Sequence, residues 1–208
     1  MVELYHQGGA FMHPILVIFI FGLVIVIERF YTLTKALTVT RKFLHSVNES
    51  LENNGVQSAV EVCENTPGPV AEIFHAGLSR YPEGLSAVEK SIQSAGQIAM
   101  AFLEKNMTWL TTVSTIAPLL GFTGTVWGMV IAFQDIAAAN DISPAIVAGG
   151  ISMALLTTLF GLVVAMIIQI AQNTFAWIID KLILHMESSS VDLMDKLTQL
   201  EIQGKLGN

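Results

Sequence analysis

Hydroxyl groups set among glycines are the most chemically suggestive feature of this sequence. Plotted at 100° per residue, Thr111, Ser114, Ala117, Pro118, Gly121, Gly124, Thr125 and Gly128 share one side of a helix. Val113, Leu119, Leu120, Phe122, Val126, Trp127 and Val130 take the other. A later stretch behaves alike, with Gly150, Ala154, Thr157, Thr158, Gly161, Ala165, Gln169 and Gln172 within about 120° of one another. A threonine hydroxyl both donates and accepts, so it can coordinate a small cation or steady a carboxylate that carries a proton. Thr125, Thr157 and Thr158 are therefore the candidate ion-handling residues. Pro118, Gly121, Gly124, Gly128, Gly150, Ala154 and Gly161 are candidates for close helix packing, because small side chains let backbones approach. Pro118 also lacks an amide hydrogen and leaves one carbonyl of the preceding turn unpaired. The plainer alternative is a passive scaffold in which both faces only hold helices together.

The segments that carry these faces are long and free of charge. No ionisable side chain occurs from Asn106 to Gln134 or from Ile142 to Ile179, and Ala10 to Ile27 contains only His13. A helix of roughly 20 apolar residues crosses the hydrocarbon of a bilayer, so each run is long enough or nearly so. Across all 208 residues only 13% are charged, about half the usual share for a soluble domain. These runs predict an all-α membrane protein with three transmembrane helices and long helical extensions on one side.

Orientation follows from the basic residues, which favour the cytoplasmic flanks of membrane spans. Arg29, Lys35, Arg41, Lys42, Arg80, Lys90, Lys105, Lys181, Lys196 and Lys205 leave none before the first span and none between the second and third. The predicted layout is a periplasmic N-terminus 1–9, spans at 10–31, 108–135 and 146–179, and a periplasmic loop 136–145. A cytoplasmic helical domain 32–107 and a cytoplasmic C-terminal helix 180–208 complete it. The first run has its positive charges after it rather than before it, so it reads as an uncleaved anchor. Trp109 and Trp177 suit interfacial anchoring near the inner ends of the two long spans. Glu28 and Arg29 can pair with a neighbouring subunit or snorkel to the inner boundary. Asp135 and Asp141 can gather cations at the outer mouth or simply end helices in water.

Within the cytoplasmic part, Asn53-Asn54-Gly55 and Thr66-Pro67-Gly68-Pro69 read as breaks. Val70–Tyr81 reads as a short helix, and Ser86-Ala87-Val88-Glu89 has the form of a capping box. From there Leu85, Val88, Ile92, Ala95, Ala99 and Phe102 make one apolar stripe, and one continuous helix is predicted from near Ser86 to near Asp135. Ile179, Leu182, Met186, Leu193, Leu197 and Leu200 continue a stripe beyond the third span.

Thr125 lies about 15 Å inside Asp135, and Thr158 about 20 Å inside Pro144, so the two antiparallel spans bring hydroxyls to a similar depth. Neither span offers an Asp, Glu, His, Lys or Arg there, although proton relays ordinarily need such groups. If ions cross here, the carboxylate must come from elsewhere, most simply a membrane helix of a second polypeptide. A membrane metalloprotease would need a His-Glu-x-x-His helix, and an aspartyl protease two facing membrane aspartates; neither is present, so no enzyme is expected. No bound cofactor, metal or nucleic-acid partner is expected either.

Ala117-Pro118-Leu119-Leu120-Gly121-Phe122-Thr123-Gly124-Thr125-Val126-Trp127-Gly128-Met129 resembles the second-span signature of the ExbB/TolQ/MotA family of ion-driven channels. Gly149-Gly150-Ile151-Ser152-Met153-Ala154-Leu155-Leu156-Thr157-Thr158-Leu159-Phe160-Gly161-Leu162 resembles its third-span signature, and Ile27-Glu28-Arg29-Phe30 is similar to the end of the first span in the ExbB/TolQ branch. The resemblance implies a homopentameric ring in a bacterial inner membrane, around two single-span ExbD/TolR-like subunits that bear a membrane aspartate. Thr125 and Thr158 match the family's pore-line threonines. The resemblance further implies that transported protons or sodium ions drive work on a TonB/TolA-like protein. The sequence departs from the ExbB/TolQ pattern at Met153, where many of those proteins have glutamate. Its Thr157-Thr158 pair resembles sodium-driven, MotA-like stator subunits, although three spans rather than four favour ExbB/TolQ.

Overall fold

The computed structural model of the chain describes residues 2–139 and 144–202, so Asp141 and Lys205 lie outside the described residues. Its helices are α1 (Val2–Gln7), α2 (Met12–Glu64), α3 (Pro69–Leu78), α4 (Leu85–Glu104), α5 (Met107–Ala139) and α6 (Pro144–Ile202), with a single 3-10 turn at Tyr81–Glu83. Among the described residues, three helical stretches are long and apolar enough to cross a membrane. The chain divides into two compact units, residues 1–29 with 106–174 and residues 30–105 with 175–208, so α2 and α6 contribute to both.

In the first unit small residues line the helix contacts and many large apolar ones lie outside, with Ile15, Leu110, Val164 and Ile168 among the buried exceptions. Ala117, Ala132 and Ala154 are buried, as are Gly121, Gly124, Gly128, Gly150 and Gly161. Val17, Val24, Leu119, Phe122, Phe133, Leu155 and Ile170 are exposed. A helix bundle in lipid sorts its residues this way, because lipid chains solvate bulky apolar groups and only close backbone approach distinguishes a neighbour. One bulky residue departs from the predicted division. Val113, placed on the outer side by its angle, is completely buried. It fits because α2 contributes Gly22, where a Cβ would lie 3.1 Å from Val113 Cγ1 and 2.8 Å from Ile168 Cδ1.

Arg29 is the other surprise of this unit. Its side chain is buried and neither snorkels nor stands exposed to a neighbouring subunit. It donates to the adjacent Glu28 carboxylate through Nε at 2.7 Å and Nη2 at 2.6 Å. Burying an unpaired guanidinium would be costly, and the bidentate carboxylate offsets that cost.

The second unit is packed the opposite way. Leu33, Phe43, Val47, Leu51, Phe74, Leu78, Val88, Leu103, Leu182, Leu193 and Leu197 are buried. Phe43 and Phe74 meet edge to face with centroids 5.5 Å apart, and Gly77 lets α4 approach so closely that a Cβ there would lie 2.6 Å from Ile92 Cγ1. Ser91 Oγ donates to the Ala76 carbonyl at 2.7 Å. The α6 stripe is buried at Ile179, Leu182, Met186, Leu193 and Leu197, and half-buried at Leu200. On α4 the stripe is rotated by one residue at its end, because Leu103 is buried whereas Phe102 is exposed.

Three local features differ from the sequence-based expectation. The continuous helix from Ser86 to Asp135 is two helices, broken where Lys105 is extended (ψ 137°) and Asn106 takes φ 65°. Asparagine tolerates that left-handed conformation better than most residues, so neither glycine nor proline was needed. The Asn106 amide also donates to Glu28 Oε2 at 3.3 Å. The capping box is absent: α4 starts at Leu85 with Gly84 as its N-cap at φ 97°, and Ser86 is already inside the helix. By contrast, Asn53-Asn54-Gly55 does break the helical run as expected: Gly55 is non-helical (φ 83°, ψ −176°), and a second helical stretch continues to Glu64. The short helix ends at Leu78, ahead of the Pro82-containing turn.

Candidate ion-pathway site

The site is built on the antiparallel contact between α5 and α6. A Cβ added to Gly121 would lie 2.9 Å from the Thr157 carbonyl oxygen, and one added to Gly161 would lie 2.6 Å from that of Ala117. At Gly128 it would lie 3.1 Å from the Ala154 nitrogen, and at Gly150 it would collide with Ala132 Cβ. All of the predicted packing residues except Pro118, which is half-buried, thus lie buried in one seam.

Two of the three predicted threonines meet on this seam. Thr125 Oγ1 and Thr158 Oγ1 are in direct hydrogen-bonding contact, and both side chains are partly buried. Thr125 Oγ1 is 3.2 Å from the Gly121 carbonyl oxygen and 3.3 Å from that of Ala154, while Thr158 Oγ1 is 3.2 Å from the Gly121 oxygen. Two hydroxyl protons therefore serve backbone carbonyls or each other, and the lone pairs left over are acceptors.

Thr157 stands apart from that pair. It is fully buried, donates to the Ala154 carbonyl at 2.8 Å and fills the space left by Gly124, where a Cβ would come within 2.6 Å of its hydroxyl oxygen. Its neighbour Met153 is half-buried, and its sulfur would lie 3.1 Å from a Cβ on Gly9. A thioether in that setting packs and has no proton to give. Asp135 is exposed near the end of α5. Among the described residues no group of three His, Cys, Asp or Glu side chains could hold a metal ion.

Toward the other end of the seam a second polar pair appears that reading the two faces separately did not pair. Gln172 Nε2 donates to Thr111 Oγ1 at 2.7 Å. The signal was present in the register: Thr111 precedes Thr125 by fourteen residues, and Gln172 follows Thr158 by fourteen. Antiparallel helices in contact at one pair must meet again at the other.

Comparison with known proteins agrees with this geometry. Residues 65–188, which contain the whole seam from Thr111 to Gln172, match the MotA/TolQ/ExbB proton channel family. A Methanothermobacter thermautotrophicus protein named as an ExbB homologue in biopolymer transport is 30% identical over 95% of this chain and 68% of its own length. An ExbB-like protein of Synechocystis is 30% identical over 81% of each chain. The Tol-Pal system protein TolQ of Haemophilus influenzae is 29% identical over 72% of this chain and 70% of its own.

Proposed function

This chain belongs to the MotA/TolQ/ExbB proton channel family, and from that premise we propose that it is the channel-forming subunit of an ExbB/TolQ-type motor. It sits in a bacterial inner membrane with its N-terminus periplasmic and its C-terminus cytoplasmic, crossing at 10–31, 108–135 and 146–179. Five copies surround two single-span ExbD/TolR-like partner subunits whose membrane aspartate carries the proton. These partners pass the work to a TonB/TolA-like protein. One charge moved through 100 mV releases about 2.3 kcal/mol, so a few charges suffice for a mechanical step.

The observation that carries this reading is the Thr125–Thr158 hydroxyl pair in helices free of mid-span charge. A hydroxyl pair with its protons turned toward backbone carbonyls offers lone pairs to a protonated acid or to a cation crossing apolar surroundings. It cannot itself bind and release a proton at working pH, which is why the titrating group belongs to the partner. The burial of Thr157 against Gly124 favours protons over sodium, because the adjacent hydroxyls do not act as a coordinating pair.

The test is Thr158→Val in the chain coexpressed with its single-span partner and reconstituted in vesicles. The expected result is loss of proton flux with the complex still assembled. Thr158→Ser should retain flux. A scaffold whose seam only packs helices would tolerate the valine, and wild-type flux in that variant would overturn the reading. A sodium gradient applied alone distinguishes the carried ion.

A further inference from the structure

We propose that Thr111 and Gln172 form a second station for a small hydrated cation, at the inner end of the α5–α6 seam. The inference rests on the channel reading above and adds to it a place where the ion is handed to water.

The pair repeats the geometry of Thr125 and Thr158 about 21 Å farther along both helices, at 1.5 Å per residue. It is asymmetric where the first pair is symmetric. Thr111 Oγ1 donates to the Met107 carbonyl at 3.3 Å, so its hydroxyl presents a lone pair to Gln172 and receives the amide NH2 group. That fixes the other end of the amide. Gln172 Oε1 is buried and has no hydrogen-bond partner among the described residues. A buried carbonyl oxygen without a donor costs stability, and such a cost persists where the group has a use.

Three further observations say what kind of ligand fits. First, the neighbouring threonines of α5 also spend their protons on their own helix: Thr112 on the Thr108 carbonyl at 2.9 Å, and Thr115 on that of Thr111 at 2.8 Å. The exposed oxygens of Thr111 and Thr115 therefore show acceptors only. Second, Pro118 has no amide hydrogen, so the Ser114 carbonyl, one turn from Thr111, lacks its helical donor. Third, no acid or base lies on either helix between Asn106 and Asp135 or between Pro144 and Ile179 to supply a counter-charge. Neutral oxygens with free lone pairs suit hydronium or a sodium ion that keeps part of its water shell; an anion would meet these lone pairs with at most one amide hydrogen of Gln172 to hold it.

The experiment uses the whole complex in vesicles, driven in one arm by a pH gradient and in another by a sodium gradient at fixed pH. Gln172→Met keeps the length and shape of the side chain and removes the orphaned oxygen. The expected result is a roughly tenfold or larger fall in flux, as for one lost contact to a charged group, with assembly and melting temperature unchanged or raised. Thr111→Val should act in the same direction. Gln172→Glu should conduct with a pH dependence, in the range where a carboxylate titrates, that the wild type lacks. Should Gln172→Met conduct like the wild type while Thr158→Val does not, the inner station is wrong and the channel reading stands. Wild-type flux in Thr158→Val would remove both. If Gln172→Met does not assemble, the glutamate variant decides: wild-type flux with an unaltered pH profile overturns the proposal.

Discussion

The two units of this chain solve opposite packing problems with the same helix geometry. In the unit formed by residues 1–29 and 106–174, glycine and alanine line the α5–α6 seam and many bulky side chains face outward. In the unit formed by residues 30–105 and 175–208, leucine and phenylalanine are inside and the charges face outward. Water rewards burial of apolar area, at roughly 25 cal/mol per Å², whereas lipid offers no such reward between helices. What holds the first unit is close backbone approach and a few hydroxyl bonds; what holds the second is volume. The difference teaches that one residue type has opposite value in the two places.

Substitutions can break that comparison. The largest effect is expected for Gly121→Leu, whose Cβ alone would stand 2.9 Å from a backbone oxygen that cannot move aside. No folded complex should be recovered in detergent, as judged by size-exclusion chromatography; a well-behaved variant would show that the seam is looser than described. Next comes Phe74→Ala in the second unit. Its loss of buried volume beside Phe43 should cost about 3–5 kcal/mol, read from denaturant unfolding.

Cys63 gives a smaller, pH-dependent effect. Burial and the neighbouring Glu64 push its thiol up from 9.0 to about 12. Between those values the unfolded chain has lost the proton and the folded chain has kept it, so stability should fall as pH rises above about 9. Cys63→Ala should remove that part of the slope, measured as unfolding midpoints at pH 8 and pH 10.5. Smallest is Gly96→Ala, which meets nothing within 4 Å in α4 and should stabilise by about 0.5–1 kcal/mol in a thermal melt. Gly96 and Gly121 are both helical glycines, and the opposite signs expected for them are the sharpest form of the contrast.

Much of this was legible because charge and side-chain size are written along the chain. The charge-free runs marked the long apolar helices, and 100° plots found the small residues buried along the α5–α6 seam, though not bulky Leu110, Val164 and Ile168, which are buried as well. What escaped depended on a third partner or on backbone conformation. Val113 was misplaced because α5 touches α2 as well as α6, and a single angular face cannot describe two contact lines. The break at Asn106 was invisible because no glycine or proline marks it. Ser86 resembled a cap by type, but the helix is capped two residues earlier, at Gly84, whose φ of 97° few other residues adopt. Within the site, Thr157 and Thr158 are adjacent in sequence yet do different things, since a turn of about 100° sends one into the seam and leaves the other at its edge.

The glycines of the α5–α6 seam carry a mechanical consequence. At Gly121, Gly128 and Gly161 the nearest atoms across the gap are backbone, which cannot rotate out of the way as side chains can. Sliding one helix past the other by a single residue would drive Thr157 or Ala154 into main chain, and no intermediate spacing is open. The two helices therefore travel as one stave, and in the motor proposed above a stroke would be a movement of staves against the enclosed partner.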